Sequence, residues 1–170
     1  MDCQIQVHKL ARFGNLTKPE SAILSIMVEI GARVQRVIEE LTGNEALLEM
    51  LETEAATELL NWGIELATSL VKRTEGMDEA EAEQILLPRL KAVRQMMRSV
   101  GNWASGKYVD PAGRVQLRDK LLENFRVIFG GDARLPSPEE MDKLLNQVDD
   151  KNNTPHQLIL KLRQSLEQPS

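Results

Sequence analysis

The chain has 170 residues, of which 42% are hydrophobic, 28% charged and 4% aromatic, and its formal net charge is −5. This length suits one globular domain that buries its core without disulfides or metals, and a single cysteine, Cys3, excludes an internal disulfide. A net negative charge disfavours binding to the phosphate backbone of nucleic acids on average. No run of the sequence reaches the roughly 20 apolar residues of a membrane span. The chain does not start with the apolar core of a secretory signal, so we expect a soluble cytoplasmic protein.

The N-terminal region is predicted to be a short helix or an extended arm, residues 1–15, followed by the first clear helix, 18–41. This helix follows a capping box in which Thr17 and Glu20 satisfy free backbone N–H groups. Its apolar residues recur every three or four positions, which is the spacing of one helix face. The pattern stops at Gly43, a residue type that favours helix ends.

The second helix, 45–74, has the longest unbroken helical rhythm in the chain, and Asn44 stands where its cap belongs. Its second half, from Leu59 to Val71, is apolar on more than one side. A helix of that kind is buried among several neighbours. We therefore predict that the other helices pack against this one.

The third helix, 79–104, is predicted to start with a capping box made by Asp78 and Glu81. Pro88 lies inside its apolar pattern. Proline removes one helical hydrogen bond, and its ring clashes with the preceding turn. We therefore predict a kink or a break at this position.

Three further helices are predicted at 111–129, 138–148 and 155–167. Each begins with a capping residue and a first-turn proline: Asp110-Pro111, Ser137-Pro138 and Thr154-Pro155. No strand-like alternation competes with these patterns. Scarce aromatic residues with abundant Leu, Glu and Ala also favour helix over sheet.

These elements predict an all-α fold, a single-domain antiparallel helical bundle of about four main helices plus a short C-terminal helix pair. The bundle and its N-terminal arm would occupy residues 1–131, and a linker and the helix pair 132–170. The pair carries too few apolar residues to hold a core of its own. It should therefore dock on the bundle or on a partner. Many unrelated helical bundles share this pattern.

The charges are separated into two blocks. Seven acids and no base lie between Glu39 and Glu58, whereas seven bases and one acid lie between Pro88 and Arg118. One explanation is intramolecular. If the second and third helices run antiparallel, Glu52 meets Arg98 and Glu58 meets Arg94 in a seam that sets their register. Exposed pairs of this kind contribute only about 0–1 kcal/mol each.

The other explanation is a docking surface around the loop between the third and fourth helices. Its residues would be Arg98, Trp103, Lys107, Tyr108, Arg114 and Arg118. The cations would meet an acidic protein, a phosphate or RNA, and the two aromatic rings would stack on a base or ligand. The explanations are compatible, because most of these residues lie beyond the seam.

Arrangements that carry chemistry are not found in the sequence. The two histidines, His8 and His156, have no zinc-type or di-iron-type spacing around them. The polar loop 149–154 fails as a calcium loop, because Pro155 replaces the required glycine and Lys161 the required glutamate. The glycines form no phosphate-binding loop. We expect no metal, no cofactor and no enzymatic activity.

We therefore expect a non-catalytic helical interaction or regulatory module whose partner is a protein, a second copy of the chain included. Two alternatives remain open. A small apolar or anionic molecule would bind between helices, in an interior pocket near Trp62, Leu66 and Met97. A nucleic-acid-associated subunit would use the basic 98–118 region, against the net charge.

Overall fold

The computed structural model describes residues 33–42, 44–131 and 134–167. Within these ranges all regular structure is helical: α1 (Arg33–Thr42), α2 (Glu45–Met50), α3 (Thr53–Arg73), α4 (Glu79–Ala104), α5 (Pro111–Phe129), α6 (Pro138–Asn146), a 3-10 turn (Gln147–Asp149) and α7 (Pro155–Glu167). The all-α prediction is confirmed for this part of the chain. None of these helices is long and apolar enough to cross a membrane. The predicted arm and the start of the first predicted helix, up to residue 32, lie outside the described residues.

Helix α4 occupies the centre of the molecule, because α1, α2, α3, α5 and α7 all pack against it. The sequence assigned that position to 45–74. Helix α3, from the second part of that segment, does pack on α1, α4 and α7, but α5 packs mainly on α4. Small residues, among them Ala92, Ser99 and Gly101, are buried in α4, and at Gly101 the side chain of Leu47 approaches closely. The apolar pattern alone does not reveal this use of small residues.

The predicted helix 45–74 is divided in two. The backbone is extended at Leu51 and Glu52, with ψ of 152° and 154°, so α2 and α3 point in different directions. This break lets α2 pack on α4, where a Cβ on Gly101 would lie 2.8 Å from Leu47 Cδ2. Asn44 makes no capping hydrogen bond, contrary to prediction. Its buried amide instead faces the sulfur of Met97 at 3.7 Å.

The third predicted helix has the bounds of α4, but the capping box predicted at its start is wrong. The helix continues through Pro88, so of the predicted kink or break the break does not occur. Pro88 and Gln84, whose carbonyl loses its helical donor, lie on the exposed side, where water can replace the missing hydrogen bond. Asp78 precedes the helix but makes no side-chain capping bond.

The caps of the last three helices are confirmed. The Asp110 carboxylate accepts from Ala112 N at 3.4 Å, and Ser137 Oγ accepts from Glu140 N at 3.2 Å. Before α7 the capping box is reciprocal: Thr154 Oγ1 accepts from Gln157 N, and Gln157 Oε1 accepts from Thr154 N. These bonds satisfy backbone groups that a helix leaves free at its start.

The two C-terminal helices pack on different parts of the chain. Helix α6 lies against α5, whereas α7 lies against α3 and α4. Their apolar residues join the buried cluster of the other helices, through Met141, Leu145, Leu158, Ile159 and Leu162. The described residues therefore form one continuous core to which both helices contribute.

Candidate partner surface

The loop between α4 and α5, residues 105–110, has a backbone held by hydrogen bonds. Gly106 N donates to Trp103 O and Lys107 N to Asn102 O, both at 2.9 Å. Gly106 has a φ of +88°, a conformation that residues with a Cβ rarely adopt. The loop therefore leaves the end of α4 in a defined direction.

Arg114, in the first turns of α5, connects this loop to the end of α6. Its guanidinium donates to the carbonyls of Tyr108 at 3.0 Å and Val109 at 3.1 Å. It also donates twice to the Asp149 carboxylate, at 2.7 Å each, and once to Asn146 Oδ1 at 3.1 Å. All of its donor groups are thus used inside the chain, so Arg114 does not offer the free charge expected of a partner-facing residue.

Helix α6 covers two more residues of the predicted surface. Arg118 pairs with Asp142 of α6 and with Asp119, and its hydrogen bonds to Asp119 and then Asp142 raise the pKa of its guanidinium. Trp103 is only 1% exposed, and its indole N–H donates to the carbonyl of Leu145 at 2.9 Å. Burial removes Trp103 from the surface on which the sequence placed it.

Three residues at this end of α4 remain open to a partner. Arg98 and Lys107 are exposed and form no ion pair with any described residue, and Val109 is 67% exposed. Arg98 lies one helical turn before Asn102, whose carbonyl holds the Lys107 backbone. Tyr108 is half-buried, and its side chain packs against the core instead of facing a partner. We call Arg98, Lys107 and Val109 the basic patch.

A second surface lies at the break between α2 and α3. Met50 is 73% exposed, and Glu45, Glu49 and Glu52 in the same short stretch are exposed acids without an ion pair to the rest of the described chain. We call these four residues the acidic patch. Sequence reasoning missed Met50 and Val109. The signal was present, because each is an apolar residue outside any helical stripe.

The predicted acid–base seam between the second and third helices is wrong. Arg94 pairs with Glu40 at 3.5 Å, and Glu58 pairs with Arg163 of α7 at 3.6 Å. No ion pair joins Glu52 to Arg98 in the described structure. The break after Met50 redirects the acidic segment, and α7 takes a place beside both α3 and α4.

The residues of the predicted interior pocket lie in the core. Trp62 and Met97 are fully buried, and Leu66 is 8% exposed. A Cβ on Gly63 would lie 3.0 Å from Met97 Cε, so α3 and α4 are in direct contact there. The Trp62 ring also packs against Phe125, with centroids 6.2 Å apart.

Other polar clusters on the described surface also offer little to a ligand. A shallow cleft between α1 and α4 contains Arg33 and Arg36. Arg33 donates to the carbonyls of Thr74 and Met77, and Arg36 pairs with Glu83. Among the described residues no three His, Cys, Asp or Glu side chains are grouped to hold a metal ion.

Comparison with known proteins finds no relative. No protein-family model, no curated protein and no solved structure matches the chain.

Proposed function

We propose that this chain is a non-catalytic helical protein-interaction module whose basic patch binds an acidic protein surface. The observation that carries the proposal is the 67% exposure of Val109 in a loop whose backbone Arg114 holds. An apolar group presented in a preformed loop binds with little loss of conformational entropy. The nearby charges of Arg98 and Lys107 would steer an acidic partner and set its orientation.

The chemistry of the partner follows from the neighbouring surface. There the cations Arg114 and Arg118 are already paired with aspartates of the α6 region, Asp149 and Asp142. The chain's own acidic, amphipathic segment thus covers one part of a basic surface. A partner that presents carboxylates around an apolar side chain would suit the part that α6 leaves open.

The two alternative functions lose support from the same observations. The small-molecule hypothesis needs space near Trp62 and Met97, where side chains are in contact. The nucleic-acid hypothesis needs Trp103 and the bases of the 98–118 region, but Trp103 is buried and two of the arginines are paired. Arg98 and Lys107 alone would neutralise few phosphates.

Two finer sequence predictions are kept as part of this proposal. We propose that the core is an antiparallel four-helix arrangement, because α3, α4 and α5 are joined by short connections, which favour antiparallel neighbours. The cytoplasmic location expected from the sequence stays a prediction.

The test is affinity purification of the tagged full chain from its native host, with Lys107→Glu as the variant. We expect that specific proteins recovered with the wild type are lost with Lys107→Glu. Lys120→Glu is the matched control, because Lys120 is also exposed, forms no ion pair with a described residue and undergoes the same charge change. A recovered protein should rebind when purified. If Lys107→Glu recovers the same proteins as the wild type, the basic patch is not the docking surface.

A further inference from the structure

We infer that the partner of the basic patch is a second copy of this chain, whose acidic patch docks on it in a symmetric dimer. This inference rests on the proposed function and identifies the partner by its chemistry. Each copy would offer its acidic patch (Glu45, Glu49, Met50 and Glu52) to the basic patch (Arg98, Lys107 and Val109) of the other.

The apolar centres of the two patches are the first reason. Met50, 73% exposed, and Val109, 67% exposed, are the two most exposed large apolar side chains of the described residues. One stands among free acids and the other beside free bases. An apolar centre with a charged rim is typical of protein interfaces, in which opposite charges on the two sides select the partner. The two patches are therefore complementary in charge, and each has an exposed apolar side chain at its centre.

The charges within one copy are the second reason. The acids of the α2–α3 turn and the bases Arg98 and Lys107 form no ion pairs with each other in the described structure, although α2 packs on α4. The carboxylate of Asp110, next to Val109, accepts from Ala112 N at the start of α5. The free charges of one copy are thus available to another.

The position of the patches is the third reason. Leu47 of α2 packs on Gly101, and the Lys107 backbone is bonded to Asn102, so both patches adjoin the last turns of α4. A twofold axis near this end would bring the acidic patch of each copy to the basic patch of the other at once. The contact is then made twice, and the assembly closes as a dimer.

The experiment measures self-association of the full chain by sedimentation equilibrium, from micromolar to sub-millimolar concentration. We expect a dimer for the wild type that weakens as salt is added. Lys107→Glu and Glu49→Lys should each raise the dimer Kd about tenfold or more. Each substitution makes the two facing patches carry the same charge, and this happens in both contacts of the symmetric dimer. Lys120→Glu and Glu81→Lys, at exposed positions outside both patches, should leave the Kd unchanged.

An equal mixture of the Lys107→Glu and Glu49→Lys chains provides the decisive arm. In their heterodimer one contact is wild type and the other has both charges exchanged, so the Kd should return to near the wild-type value. Arg98→Glu and Glu52→Lys repeat the test at a second position of each patch. Circular dichroism establishes that every variant remains helical.

Two results would overturn the inference: a wild-type chain that stays monomeric throughout, or a mixture that associates no better than its components. Neither result touches the proposed function if proteins recovered from the host still depend on Lys107. Conversely, the purified chain could form a dimer that the patch variants weaken, while affinity purification from the host recovers no other protein. That pair of results would identify the second copy as the partner.

Discussion

The indole N–H of Trp103 donates a hydrogen bond of 2.9 Å to the backbone carbonyl of Leu145, inside the core. Trp103 lies at the end of α4 and Leu145 in α6, 42 residues later in the chain. The bond joins the central helix to a segment that the sequence predicted to dock on the bundle or on a partner. The same carbonyl, near the end of α6, also accepts from the backbone N–H of Gln147.

Trp103→Phe should lower the free energy of unfolding more than Trp62→Phe does. Both rings are buried and both substitutions remove similar volume, but Trp62 Nε1 has no hydrogen-bond partner among the described residues. Loss of the indole donor removes one buried hydrogen bond, while the backbone N–H of Gln147 still donates to the Leu145 carbonyl, so the expected cost is about 0.5–1.5 kcal/mol beyond the packing loss. Urea unfolding followed by circular dichroism measures both variants. Equal losses would show that the bond contributes nothing.

Arg114→Ala should destabilise the fold and loosen the 105–110 loop. The side chain is 13% exposed and holds Asp149 and the carbonyls of Tyr108 and Val109. We expect a loss of about 1–3 kcal/mol, together with faster amide hydrogen exchange in the loop. Arg126→Ala, whose side chain is 61% exposed, is the control and should change stability by about 0.5 kcal/mol or less. Unchanged exchange in the Arg114 variant would show that the loop keeps its shape by itself.

Gly101→Val should lower stability by about 1–3 kcal/mol, because a Cβ there lies 2.8 Å from Leu47 Cδ2 and α2 must shift. Adding Leu47→Ala creates the space that the new side chain needs. The double variant should therefore lose less than the sum of the two single losses, as measured by thermal unfolding. If the stability losses of the two single variants simply add in the double variant, the side chains at positions 47 and 101 do not interact.

Arg163→Gln should weaken the packing of α7 on α3. The guanidinium is 15% exposed and pairs with Glu58, Glu65 and Glu167, so one substitution breaks several ion pairs. We expect a loss of about 1 kcal/mol, since partly exposed pairs are each weak. High salt should reduce the difference between this variant and the wild type. A difference that is independent of salt would point to lost packing of the arginine stem instead.

Pro88→Ala should stabilise the protein. Helix α4 runs through Pro88 without interruption, and the residue is exposed, so alanine restores a helical hydrogen bond without a clash. The expected gain is about 1–3 kcal/mol in urea unfolding, reduced somewhat by the greater freedom of the unfolded chain. A loss of stability would mean that α4 needs its local shape at Pro88.

Local signals explain most of what could be predicted from the sequence. The caps at Ser137 and Thr154 act over three residues, and the structure contains both. The break at Leu51 could not be predicted in the same way, because no residue around it forbids a helix. It depends on the contact of Leu47 with Gly101, which is more than 50 positions away in the chain. Whether the helix continues through Pro88 likewise depends on which side of α4 faces water.

The sequence by itself determined that the chain is helical, where most of its helices begin and end, and that its charges are separated into two blocks. These properties come from backbone capping and side-chain spacing, which are local. Only the tertiary structure decided how the charges are used. Arg118 pairs with Asp142 of α6 and Arg114 with Asp149 of the 3-10 turn, and Trp103 is a core residue bonded to Leu145. Burial and ion pairing depend on which distant segment lies beside a residue. The positions of Val109 and Met50 outside any helical stripe indicated exposure, but only the tertiary structure established it.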